Sequence, residues 1–189
     1  MSLFLVPLLI GFVFAGASAF TTAYSRRFGE RGGQTATAAL RNVLGIPLWL
    51  VGYAWAWLTP APWVVQPGAS LTVLGWIVVL AGAVPVVVGH LHVGLRSHLP
   101  SLRDTLVRHG LYACVRHPIY AGGLLVMPGL ALIRPSISVV LASALVLAWL
   151  FLQARLEEID LLQRLPEYAE YLRQVPRFLP RPRKRERSP

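Results

Sequence analysis

From Ser70 to Gly94 the chain carries no Asp, Glu, Lys or Arg. A run of that length can cross the roughly 30 Å hydrocarbon layer of a bilayer as one helix, because a helix satisfies its own backbone where no water can. Other apolar runs follow the same rule. They extend from Ser2 to about Ala23, from about Asn42 to Leu58, from Tyr120 to Ile133, and from about Ser136 to Gln153. No basic residue precedes the first run, which is long for a secretory leader, so it is read as a helix of the mature protein. Trp55, Trp57 and Trp63 follow the second, aromatics of the kind that settle at headgroup level. The fourth run is short for an upright span and meets the fifth at Arg134-Pro135-Ser136, where proline removes a helix donor and restricts its predecessor. Only 14% of residues are charged, against about 25% in soluble domains. The expected fold is an all-α integral membrane protein with about five transmembrane helices and a cytoplasmic carboxyl-terminal helical extension.

The net charge of +10 is read against that topology before nucleic acid is considered. Arg26, Arg27, Arg31 and Arg41 precede the second run, and Arg96, Arg103, Arg108 and Arg116 follow the third. The connections from Thr59 to Ala69 and around Arg134 are nearly free of basic residues. Nine more lie beyond the last run, from Arg155 to Arg187. Basic loops stay in the cytoplasm, which places the amino terminus outside and the carboxyl terminus inside. The expected organisation is an amino-terminal membrane region over 1–69, a core over 70–180 and a basic Pro/Arg tail over 181–189. The tail cannot build a core and suits an anionic lipid surface. Partners expected are the bilayer and a lipophilic small molecule, with no nucleic acid and no obligate protein. Gly75, Gly82 and Gly89 recur at spacing seven, which lays small residues on one stripe where a second helix can approach.

Polar chemistry concentrates in two places. The stretch Asp104 to Tyr120 packs Arg108, His109, Tyr112, Arg116 and His117 into one loop, with Pro118 barring a regular helix through the Arg-His pair. Just past the last run comes Arg155-Leu-Glu157-Glu158-Ile-Asp160. Adjacent residues on a helix point about 100° apart, so one glutamate at most faces a given site and the other is expected in solvent. Asp160 and Arg164 form an i,i+4 pair. The topology puts both constellations on one face of the bilayer, where a basic-aromatic loop beside a carboxylate suits a zwitterionic ligand. Other chemistries find less support. His90 and His92 diverge on a helix, His98, His109 and His117 lack ligand spacing, and no metal is expected. Cys114 has no obvious base beside it, and nucleotide-binding glycine patterns and a Gly-x-Ser-x-Gly elbow are missing.

The stretch Thr105-Leu106-Val107-x-x-Gly-x-Tyr112-x-x-x-Arg116-His117-Pro118-x-Tyr120-x-Gly122 resembles the signature of the isoprenylcysteine carboxyl methyltransferases, whose wider group includes phospholipid N-methyltransferases. Glu157-Glu158-x-x-Leu161, Tyr168-x-x-Tyr171 and Val175-Pro176-Arg-Phe-Leu-Pro180 extend the likeness. The resemblance implies an S-adenosylmethionine-dependent carboxyl O-methyltransferase-like membrane enzyme, whose acceptor resembles an isoprenylcysteine carboxylate or a phospholipid amine. It further implies that Thr105, Leu106, Val107, Tyr112, His117, Pro118, Ile119, Tyr120 and Glu157 bind the cofactor, with Arg116 and Arg155 as substrate contacts. Asp104, Gln153 and Pro166 depart from the pattern, where histidine, arginine and glycine are common. Two other readings stay open: a membrane lipid or sterol-type reductase using NADPH, since membrane sterol reductases carry a similar Arg-His-Pro-x-Tyr element, and a non-enzymatic lipid-binding membrane protein.

Overall fold

The computed structural model describes residues 3–94 and 99–180; Arg96, His98 and the 181–189 tail fall outside them. The described chain is helical, with a single isolated β-bridge. Helix α1 spans Leu5–Ala17 and α2 spans Thr21–Ala38; a π-helical stretch, Ala39–Gly45, leads into α3, Ile46–Leu58. Helix α4 covers Ala69–Val93, α5 Pro118–Ile133, α6 Ile137–Arg164 and α7 Tyr168–Gln174, with a 3₁₀ turn at Gly110–Ala113.

By length and composition, α4 and α6 can each cross a membrane. Helices α1 and α2–α3 meet that standard only as a pair, bent by 69°. The expected continuous helix from Ser2 to Ala23 is therefore broken after Ala17. Ser18 turns its hydroxyl back to the Ala15 carbonyl at 2.6 Å, and Phe20 leaves helical geometry with φ −96° and ψ 52°. A hydroxyl that bonds the backbone of its own turn competes with the helix ladder. Helix α2 holds a second irregularity at Gly29, whose φ of 74° is open to glycine without strain. Helix α5 starts at Pro118, two residues ahead of the expected Tyr120. Proline at the first helical position lacks only a hydrogen that would find no partner there.

Helices α4 and α5 form the closest pair. Their approach is fixed by the glycine stripe: a Cβ on Gly82 would lie 2.6 Å from the Gly122 carbonyl, and one on Gly75 2.7 Å from that of Gly129. Backbones can come this close only where side chains are missing. Helix α1 packs similarly on α3, with Gly11 and Gly52 at the crossing. Helix α6 runs between the two pairs, contacting α1, α3 and α5. Leu8, Ala56, Val139 and Ala142, all fully buried, form the heart of the apolar core. Away from the core the helices present apolar side chains outward, including Trp76, Leu80, Val84 and Leu91 on α4, as lipid-facing helices do.

Two short backbone splices tie the ends of the bundle. At one end Val64 N–H donates to the Pro135 carbonyl and Ile137 N–H to that of Pro62. At the other, Arg116 N–H donates to the Pro176 carbonyl and His117 N–H to that of Arg177.

Candidate functional site

Between the α1–α3 pair and the α4–α5 pair lies a cavity of about 730 Å³, with one face of α6 as its wall. That volume falls within the usual 300–1,000 Å³ of small-molecule sites. Val146, Trp149, Gln153, Glu157, Asp160 and Arg164 line it from α6, at the three- and four-residue spacing that puts side chains on one stripe. The stripe changes character along its length. Near Val146 it faces Trp49, Val86 and Met127, so that end is apolar; beyond Gln153 it is ionic.

The loop before α5 forms the opposite wall of the ionic end. Thr105, Leu106, Val107, Tyr112, Arg116, His117, Ile119 and Tyr120 all line the cavity with Glu157. Two expected site residues are placed elsewhere. Pro118 is fully buried but lies off the cavity, its ring used to start α5. Arg155 is exposed and does not line the cavity, because it points away from the inward stripe.

Glu157 is held asymmetrically. Its Oε1 accepts from Arg41 Nη2 at 2.8 Å, the Tyr120 hydroxyl at 2.6 Å and Gln153 Nε2 at 3.3 Å. Its Oε2 receives no hydrogen bond among the described residues; His117 Nδ1 is 4.0 Å away. The Gln153 amide is oriented by two acceptors, Glu157 and the Ala15 carbonyl at 3.2 Å, which leaves its buried Oε1 without a partner. Two acceptor oxygens in one cavity thus await donors. The His117 ring stacks on Tyr120 with centroids 5.4 Å apart. Burial, reinforced by the negative charge of Glu157, raises the Tyr112 phenol above its ordinary range, so it stays a neutral donor.

Glu158, expected in solvent, is instead buried with 4% exposure. It accepts from Arg116 Nε at 3.1 Å, His117 Nε2 at 3.2 Å and Arg177 Nε at 3.0 Å, while Arg177 Nη2 bonds its other oxygen. Arg116 also donates to the Leu172 carbonyl at 2.7 Å and to that of Val175. The expectation failed because it supplied only one partner surface. The segment after α7 folds back beside α6 and covers the second glutamate. Arg116 lines the cavity, yet its side-chain hydrogen bonds go to Glu158 and to carbonyls of α7 and the residue after it. Arg177 is raised further above its ordinary range by its hydrogen bonds to Glu158.

Arg41 was counted in the sequence only as a topological charge. The one available signal is that it falls in a π-helical stretch, a rare form frequent at functional sites, and such a stretch has no pattern in the residues. The Asp160–Arg164 pair forms as expected at 3.0 Å. Arg164 also meets Asp104 at 2.9 Å, and Asp160 accepts the Thr22 N–H at 2.7 Å. His90 and His92 bond back to carbonyls one turn earlier on α4, those of Val86 and Val88.

The model of the family PEMT, phospholipid methyltransferase, matches residues 63–167, more than half of the chain. The cobalt-zinc-cadmium resistance protein CzcN of Cupriavidus metallidurans is 39% identical over 79 residues, which cover 41% of this chain and 37% of that protein. The matched part therefore spans little more than a third of that relative. No solved structure matches. Two of its helices, α4 and α6, are apolar and long enough to cross a membrane, and the chain belongs to the phospholipid methyltransferase family, within the group that joins it to the isoprenylcysteine methyltransferases.

Proposed function

We propose that the protein transfers a methyl group from S-adenosylmethionine to a lipophilic acceptor of isoprenylcysteine carboxylate-like or phospholipid amine-like chemistry. The observation that carries this reading is the meeting of the Tyr112–Tyr120 loop and Glu157 across one cavity. The lining fits the cofactor: Glu157 Oε2 and Gln153 Oε1 would accept hydrogen bonds from it, and Tyr112, Tyr120 and His117 offer aromatic faces beside them. When bound, the cofactor supplies an electrophilic methyl on a sulfonium. Electron-rich tyrosine faces favour a cation above them. Glu158 holds the His117 ring by Nε2, which fixes how the ring meets Tyr120.

The apolar end, lined by Trp49, Val86, Met127 and Val146, suits the hydrocarbon part of an acceptor. It also keeps water from the ionic end, which suppresses unproductive hydrolysis. Fixing donor and acceptor in line supplies much of the rate of such a displacement, so no triad is required. In this reading α1, α3, α4, α5 and α6 are the five membrane segments. The amino terminus is outside, the α6–α7 end and carboxyl terminus are cytoplasmic, and the acceptor arrives sideways from the bilayer.

Calorimetric titration of the protein in detergent with S-adenosylhomocysteine, and separately with NADPH, tests the cofactor. Heat with the first alone supports the reading; heat with NADPH alone overturns it for a reductase, and heat with neither for a lipid-binding protein. Membranes given methyl-labelled cofactor, then separated into lipid and protein, identify the acceptor by where label appears.

A further inference from the structure

The ionic end of the cavity contains two carboxylates with an open oxygen, and their electrostatic surroundings differ. Glu157 is already neutralised on Oε1 by Arg41, with His117 near Oε2. A second cation on this carboxylate would face the Arg41 guanidinium across a single negative charge. Where water is largely excluded, that repulsion is far stronger than in bulk solution. Neutral O–H donors meet no such penalty.

Two turns along α6, about 10 Å, the balance reverses. Arg164 serves two carboxylates, Asp160 through Nε and Asp104 through Nη1. The nearby Arg103–Glu30 pair balances itself, so this triad carries a net negative charge among the described residues. Asp160 uses both oxygens, one for Thr22 N–H and one for Arg164. Asp104 uses only Oδ2, for Ser101 N–H at 2.9 Å and Arg164, and its Oδ1 receives no hydrogen bond among the described residues. Asp104, Asp160, Arg164 and Glu157 line the same cavity. Gln153, 5% exposed, adds its unpartnered Oε1 to that wall, which marks the space as one for a polar ligand.

We propose that the two carboxylates divide the methyl donor between them: Glu157 takes ribose hydroxyls, and Asp104 takes the ammonium of the amino-acid end. Arg41 is then a positioning residue that aims Glu157 and removes its appetite for a cation. It does so from the amino-terminal part of the chain, outside the region shared with the family model. The assignment rests on the cavity being the methyl-donor site.

The test is calorimetry on the full chain in detergent with three probes: S-adenosylhomocysteine, its 3′-deoxy analogue and its desamino analogue. On the unaltered protein each analogue should bind about tenfold more weakly than the parent, a difference of about 1.4 kcal/mol. Glu157→Gln should erase the penalty for the deoxy analogue and keep that for the desamino one; Asp104→Asn should do the reverse. Arg41→Gln should weaken the parent about tenfold, with Arg41→Lys restoring most of the loss, on the same scale. An amino-group penalty that vanishes in Glu157→Gln, or survives intact in Asp104→Asn, overturns the proposal. If Asp104→Asn does not fold, Asp104→Glu moves the charge instead; an unchanged desamino penalty there overturns it equally. Failure of the unaltered protein to bind S-adenosylhomocysteine removes the methyl-donor reading itself, a distinct result.

Discussion

Glu157 and Glu158 are neighbours in the chain and opposites in the fold. Glu157 faces a cavity and keeps one oxygen unmet among the described residues, whereas Glu158 faces the strap after α7 and meets two guanidinium groups and an imidazole. A buried charge surrounded by partners holds structure together, and taking away one member leaves the others stranded at large cost. A carboxylate left partly unsatisfied at a cavity wall is costly unless something else arrives to satisfy it. The same residue type on two faces of α6 thus serves anchorage on one side and reception on the other.

The sharpest way to break the comparison is Glu158→Ala. It strands Arg116, His117 and Arg177, and unfolding in detergent should show a loss of about 3–5 kcal/mol. A variant as stable as the parent would deny Glu158 its anchoring role. Glu157→Gln should leave thermal stability much closer to the parent and weaken S-adenosylhomocysteine binding by about 1–3 kcal/mol. Equal losses of stability at the two positions would erase the distinction. Tyr120→Phe removes one of three donors from Glu157 Oε1 and should weaken the same binding by about 1 kcal/mol, again measured by calorimetry.

The smallest effect concerns pH and the strap. Burial pushes the Tyr171 phenol up to about 12, against opposing pulls from Arg116 and Arg108. Its hydroxyl donates to the Tyr112 carbonyl at 2.7 Å. The unfolded chain ionises this group near 10 and the folded chain near 12, so the folded state holds the proton longer. Stability from Tyr171 is complete below about pH 10 and declines as pH rises toward 12. Tyr171→Phe should flatten part of the alkaline fall in unfolding temperature.

The apolar stretches were legible because bilayer thickness and hydrophobicity act on every residue alike. Helix α4 was read within a residue at each end, and the Gly75–Gly82–Gly89 stripe was read as a packing face, which α5 occupies. Breaks were less legible. The bend after Ala17 depends on Ser18 bonding back to Ala15, an option any helical serine has and few adopt to this effect. At the site, the loop from Thr105 to Tyr120 and Glu157 were visible as residues out of place in an apolar chain. Arg41 was not, since it reads in the sequence as one more loop arginine, and its bond to Glu157 joins positions 116 residues apart. The burial of Glu158 depended on a contact with Arg177, nineteen positions away around a turn and a short helix. Helical periodicity says nothing about a neighbour that arrives from outside the helix.

The two backbone splices have a mechanical consequence. Each flanks an end of α5, one through Arg116 and His117 and the other through Pro135 and Ile137. Sliding α5 along its axis would strain four main-chain hydrogen bonds at once, and its glycines interlock it with α4 besides. The α4–α5 half is therefore the stationary jaw of the cavity. The opposite jaw is held to α6 by side-chain bonds instead: Thr22 N–H to Asp160, Gln153 to the Ala15 carbonyl, Tyr53 to Ser143, and Ser138 to the Ala56 carbonyl.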